Sequence, residues 1–189
     1  MATHPPTASP DGIVSKGNNT AGAIFSPDEV HRYTLWRRLS DNLKNNPDAP
    51  PILFVLLNPS TATHEVSDPT VTRCINYAKT WGHGRITVVN IFAVRETDPR
   101  NMKASKDPIG PHNDHYIHAE AENVAKADAG RIICAWGAHG EFLDRGQRVA
   151  TLLQDIDAPL HCLALTKAGH PKHPLYLRAD LKPMRFTPG

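Results

Sequence analysis

The chain has 189 residues, 40% of them apolar, which is length for one domain with a sizeable core. Its formal charge of +2 is too small to identify a nucleic-acid partner by itself, and its three widely spaced cysteines contain no CxxC pair, which argues against zinc or iron–sulfur centres. No apolar run reaches transmembrane length and the N-terminus lacks a basic-then-apolar signal pattern, so the expectation is a cytoplasmic protein with buried thiols, no cofactor and no membrane contact.

Residues 1–23 are Pro, Ser, Thr, Asn and Gly with little to bury, and read as a flexible tail ahead of one domain over 24–189. Between Ile24 and Leu43 the residues Tyr33, Leu35, Trp36 and Leu39 suit either an edge strand or a short helix, and periodicity does not decide. Four short apolar runs follow: Ile52–Leu57, Ile86–Ile91, Arg131–Trp136 and His161–Leu165. Continuous Val/Ile-rich runs suit strands buried on both faces of a parallel sheet. Helix-length stretches at about 69–81, 112–127 and 140–154 fall between them, the first opened by an Asp68-Pro69 cap. This alternation predicts an α/β fold, a three-layer α/β/α sandwich around a central, mainly parallel four-stranded sheet.

Ligands of such sheets bind beyond the carboxyl ends of the strands. There the chain places Asn58-Pro59-Ser60-Thr61, Asn90 to Arg95, Gly137 to Gly140, and Thr166 to Pro171. Asn58 can hold a water by its amide oxygen, and Ser60 and Thr61 can meet a phosphate, although both also suit an ordinary loop. Asp68 is explained by its capping role, which is compatible with polarising a water or supporting a sugar cation. Asn90 lies in an apolar run, where its carboxamide either satisfies internal groups or reads a base edge. Phe92 can stack on a base or pack in the core, and Arg95 can meet a phosphate or pair with Glu96 or Asp98. Gly169 and Pro171 shape the backbone around His170, whose imidazole can donate to an oxyanion on a departing base. Lys167 and Lys172 flank it, within a C-terminal group that includes Arg178, Lys182 and Arg185 and reads equally as a solvated surface.

Taken in order, these segments resemble the uracil-DNA-glycosylase superfamily over about Ile52 to Leu177. The resemblance rests on Asn58-Pro59 after the first strand, Asn90 followed by Val94-Arg95, Trp136-Gly137, and the His170-Pro171 to Leu175 loop. Within it, the core looks like a bacterial family marked by LNPSTA, DPT, VVN, AWG and HPLYL. The resemblance implies a DNA glycosylase that flips a base and leaves an abasic site. Asn58, Asp68 and His170 are then the catalytic residues, and Asn90, Phe92 and Pro59 bind the base. Ser60, Thr61, Arg73, Arg95, Lys167, Lys172 and His173 contact DNA, in duplex or single strand, with no obligate protein partner. The Asp and then Tyr that the uracil enzymes carry in the first motif are absent, since Asn58 is followed by Pro59 and Ser60; Asp68 is then the candidate carboxylate, and the missing Tyr points to a roomier pocket and a bulky or modified pyrimidine, as in hypermodified viral DNA met in antiviral defence. The alternatives are an N-glycosidic hydrolase or transferase of free nucleosides or nucleotides, and a non-catalytic module that binds modified DNA.

Overall fold

The computed structural model describes residues 12–189. Its strands, in chain order, are β1 Val14–Gly17, β2 Ala21–Phe25, β3 Arg32–Arg38, β4 Pro51–Leu56, β5 Arg85–Asn90, β6 Arg131–Cys134, β7 Leu160–Cys162 and β8 Met184–Arg185. The helices are α1 Ser40–Asn45, α2 Pro69–Thr80, α3 Pro99–Ala104, α4 Asn113–Ala125 and α5 Arg145–Gln154. All the strands join one mixed sheet in the order β1-β2-β3-β5-β4-β6-β7-β8.

The fold is therefore α/β, but the sheet is larger and more mixed than the four-stranded parallel one expected. The four strands read from apolar runs, β5-β4-β6-β7, pair in parallel. Antiparallel β3, β2 and β1 extend one side and β8 the other. The expected tail also changes. Its first residues lie outside the described ones, while Val14–Gly17 and Ala21–Phe25 are paired strands. Small residues allow this: a Cβ at Gly22 would lie 2.1 Å from the Trp36 ring, so the strand packs where no side chain fits.

Side-chain alternation divides the core between the two faces of the sheet. Leu53, Val55, Val89, Ile132 and Cys134 face Met102 of α3, Ile117 and Ala121 of α4, and Val149 and Leu153 of α5. Ile52, Phe54, Leu56, Ile86, Val88 and Ile133 face Val71, Cys74, Tyr77 and Ala78 of α2. Each such buried side chain contributes about 1.5–3 kcal/mol, which is what holds helices on both faces. Burial pushes the thiols of Cys74, Cys134 and Cys162 up, so they behave as small apolar groups.

The helix expected over 140–154 is split. Residues 138–144 form a 3₁₀ turn with Leu143 and Asp144 at φ 54°, and α5 begins only at Arg145. The cause is Trp136: a Cβ at Gly140 would sit 2.2 Å from its ring, so the chain wraps the indole before the helix starts. The last apolar run also stops early, at Cys162, and a Leu165–Pro171 bridge closes the loop beyond it. No helix among the described residues is long and apolar enough to cross a membrane.

Candidate functional site

Parallel pairing brings the carboxyl ends of β5, β4, β6 and β7 to one edge. Two cavities open there. The larger, of about 550 Å³, is lined by Val30, Ser60, Thr61, Val94, Arg95 and Glu96 among others. The smaller, of about 250 Å³, is lined by Gly137, Thr166, Lys172, His173, Tyr176 and Leu177 among others.

A buried polar seam lies on the α2 face of the sheet at this edge. Asn90 is the register partner of Leu56, and directly paired residues share a face. Leu56 packs with Ala62 and α2, so the Asn90 side chain turns to that side. Asn90 is 1% exposed, yet neither its Oδ1 nor its Nδ2 has a partner among the described residues. An amide buried in this way costs about 1–3 kcal/mol, which a structure bears only for a reason. Arg32, 2% exposed, reaches the same face because it pairs with Phe25 of that cluster. Its Nη1 donates to the Ala62 carbonyl at 2.7 Å, while its buried Nε is unpartnered. Arg37 donates to the Thr63 and Val66 carbonyls at 2.6 and 3.4 Å. The two arginines thus hold the loop between β4 and α2 against the sheet.

Asp68 ends that loop. It caps α2, accepting from Val71 N–H at 2.8 Å, and its second oxygen accepts from Ala62 N–H at 3.3 Å. Ala62 therefore links the Arg32 guanidinium to the Asp68 carboxylate. Burial lowers Arg32 to about 10, and the Asp68 charge opposes that fall. On its other side Asp68 acts on His173, whose imidazole burial pushes down while the carboxylate pushes it up. The His173 Nδ1 is buried and has no partner among the described residues.

From the opposite face, Asn113 and Arg145 fix the end of β5. Asn113 Nδ2 donates to the carbonyls of Asn90 and Ile91 at 2.9 and 3.1 Å. Arg145 Nε donates to the Ile91 carbonyl at 2.7 Å, and its Nη2 pairs with Asp114.

The residues picked from the sequence are distributed unevenly over this edge. Asn58 is half-buried, and its Nδ2 donates to the carbonyls of Glu96 at 2.6 Å and Pro59 at 3.1 Å, leaving Oδ1 without a partner among the described residues. Pro59 is buried and accepts from Glu96 N–H at 2.9 Å. Ser60, Thr61 and Arg95 line the larger cavity. Arg95 donates to the Glu29 carbonyl at 3.1 Å and lies over the Phe25 ring, so its guanidinium is partly committed to the protein. Phe92 is fully buried against Phe142 and offers no face to a base; the apolar core wins it. Arg73 donates to the Leu177 carbonyl and packs on Tyr77, pinning the chain after the His-Pro segment to α2. Lys167 is exposed, while Lys172 and His173 line the smaller cavity. His170 sits in the turn closed by Leu165–Pro171, its N–H donating to Thr166 Oγ1 at 3.0 Å, and it lines neither cavity. Asn58, Asn90 and His170 therefore do not converge on one cavity as expected. The imidazole within the field of Asp68 is that of His173.

Arg32, Arg37, Asn113 and Arg145 escaped the sequence reading. Their signal was faint: two arginines within the aromatic run from His31 to Leu39, and an Asn at the start of a helix.

A family model described as "Protein of unknown function (DUF1643)" matches residues 32–175. No curated protein and no solved structure matches the chain. This match corrects the resemblance to the uracil-DNA-glycosylase superfamily. The motifs that carried it are each a few residues long at strand ends, where any parallel α/β sheet concentrates polar, Gly and Pro residues, and they fall within the matched span. The matched span takes in β3 to β7, the loop from Leu57 to Asp68, Asn90 and His173, and the chain belongs to the DUF1643 family.

Proposed function

We propose that this chain hydrolyses the N-glycosidic bond of a flipped, bulky or modified pyrimidine in DNA, leaving an abasic site. The observation that carries the proposal is the Asn90 carboxamide, buried at the carboxyl end of a parallel strand with donor and acceptor both free. A carboxamide presents those groups side by side, as reading a base edge requires. The 550 Å³ cavity at the same edge of the sheet, which Asn90 does not itself line, falls within the range of small-molecule sites, roughly 300–1,000 Å³. Asn90 is sealed in this structure, so entry of a base lifts the loop that Arg32 and Arg37 hold down.

In the proposed reaction the bond between sugar C1′ and the base nitrogen breaks, and its electron pair leaves with the base. The Asp68 carboxylate supports the positive charge on the sugar. Asn58, anchored through Nδ2, holds by Oδ1 the water that adds to C1′. One proton of that water ends on the base nitrogen, giving a neutral base and a sugar hydroxyl. Ser60 and Thr61 meet the DNA backbone at the larger cavity, and Lys167 and Lys172 at the far rim.

The test is incubation of the protein with DNA containing uracil, hydroxymethylated or glucosylated pyrimidines, followed by alkaline strand scission. Breaks that appear with wild type and vanish in Asn90→Ala support the proposal; intact DNA throughout refutes it. A non-catalytic module that binds modified DNA is the second reading. It is favoured by the two backbone N–H groups already donating to the two oxygens of Asp68, which a capping role explains. DNA retention without base release would select it.

A further inference from the structure

Arg32 is the one guanidinium in the seam whose donors are not absorbed by the fold. Nη1 serves Ala62, and among the described residues the buried Nε has no partner. No carboxylate lies within ion-pair distance of it among those residues, because Asp68 is turned to the N–H groups of Ala62 and Val71. A buried cation without a direct counter-charge is costly, and here it lies on the same face and at the same edge as an amide whose polar atoms are also free. Neither Arg32 nor Asn90 lines the larger cavity, but three of its walls are chain neighbours of Arg32 and of the residues it bonds: Val30 precedes Arg32 by two residues, Thr61 adjoins Ala62, and Val94 adjoins Ala93, whose carbonyl receives the Arg32 N–H.

We propose that Arg32 determines which ring the site takes: a pyrimidine that turns a carbonyl oxygen towards it, and not one with an amino group at that position. This deepens the reading of the site as one for a flipped pyrimidine and rests on it. The argument is one of donors and acceptors. A guanidinium has only donors. Asn90 adapts to either kind of edge by rotating its amide, so it alone does not discriminate. An oxygen opposite Arg32 completes a charge-assisted hydrogen bond, and an amino group leaves two donors facing each other in a site closed to water. The same charge favours the electron density that reaches a ring oxygen as a glycosidic bond breaks, which an amino substituent carries less well.

The experiment measures binding of two free bases with the same substituent, 5-hydroxymethyluracil and 5-hydroxymethylcytosine, to the full chain by calorimetry at neutral pH. The expected result is a roughly ten- to hundredfold preference for the oxo base, reduced to near parity in Arg32→Gln and largely retained in Arg32→Lys. Equal binding, a preference for the amino base, or no binding of either overturns the proposal, and all three are read on wild type, so a variant that fails to fold does not hide them. A preference that survives unchanged in folded Arg32→Gln overturns it as well. The outcome is separable from the proposed reaction. An Arg32-dependent oxo preference in a protein that never cleaves DNA leaves this inference standing and removes the reaction. Release of the amino base from DNA as fast as the oxo base does the reverse.

Discussion

Replacement of Asn90 by leucine should make the protein more stable while removing the base release proposed for it. Asn90 is 1% exposed, and both polar atoms of its side chain are unpartnered among the described residues. Leaving an amide in that state costs about 1–3 kcal/mol, and an apolar side chain of similar size removes the cost. Leucine is branched differently and displaces neighbours such as Leu56 and Ala62, a misfit of under about 1.5 kcal/mol. The net expectation for Asn90→Leu is a gain of about 1–2 kcal/mol. For a chain of this size that moves a urea midpoint upward by about 0.5–1 M. Equilibrium unfolding followed by circular dichroism reads the shift. A loss of more than about 1 kcal/mol would refute the reasoning, since Asn90 would then be serving the fold.

Asp68 should separate its capping role from its charge. Asp68→Asn keeps an acceptor for Val71 N–H but replaces charge-assisted bonds to the Ala62 and Val71 N–H groups by neutral ones and removes a charge that acts on Arg32 and Arg37 without touching them, a loss of about 1 kcal/mol. Asp68→Ala should lose about 1 kcal/mol more by removing the cap, and urea unfolding of the pair shows whether the order holds. Arg145→Met strips the Ile91 carbonyl of a donor and Asp114 of its partner, and should cost about 2–4 kcal/mol by the same assay, with base release falling because the end of β5 loosens. Mild acid should also destabilise the chain. Burial holds His83, His161 and His173 below the ordinary histidine value of 6.5, so the unfolded chain binds more protons there. Stability is then complete above 6.5 and falls as the pH drops below it. His83, 3% exposed with Nδ1 on the Pro50 carbonyl at 3.1 Å, is the most deeply buried of these, and His83→Gln should flatten the acid limb of a stability–pH curve.

The parallel heart of the sheet was legible because burial on both faces leaves continuous apolar runs, and β4, β5 and β6 fall within the runs starting at Ile52, Ile86 and Arg131 to within two residues. The Asp68-Pro69 start of α2 was legible for a local reason, since cap and first turn are neighbours in sequence. The antiparallel additions were not. β1 and β2 interrupt Val14, Ile24 and Phe25 with Gly, Ala, Ser and Lys, too short an apolar signal to read, and hold their places through pairing of β1 with β2 and β2 with β3 and the close fit of Gly22 to Trp36. The site divides in the same way. Asn58, Asn90 and Asp68 stand out because a polar residue ends an apolar run or precedes a helix. Arg32 does not, because its burial depends on the carbonyl of Ala62, thirty residues away in the chain, and on a bulge between β2 and β3. His170 and His173 are indistinguishable as two His-Pro pairs, and only the fold puts one in the turn closed by Leu165–Pro171 and the other in the wall of the smaller cavity.

The central claim is that the edge holding Asn90 and Asp68 releases a base from DNA. Mass spectrometry of the small molecules liberated from DNA carrying uracil, hydroxymethylated or glucosylated pyrimidines tests it most directly. The account predicts a free modified pyrimidine in the wild-type reaction and none from folded Asn90→Leu. Absence of any liberated base from every DNA offered, with protein whose folding has been verified, would contradict it.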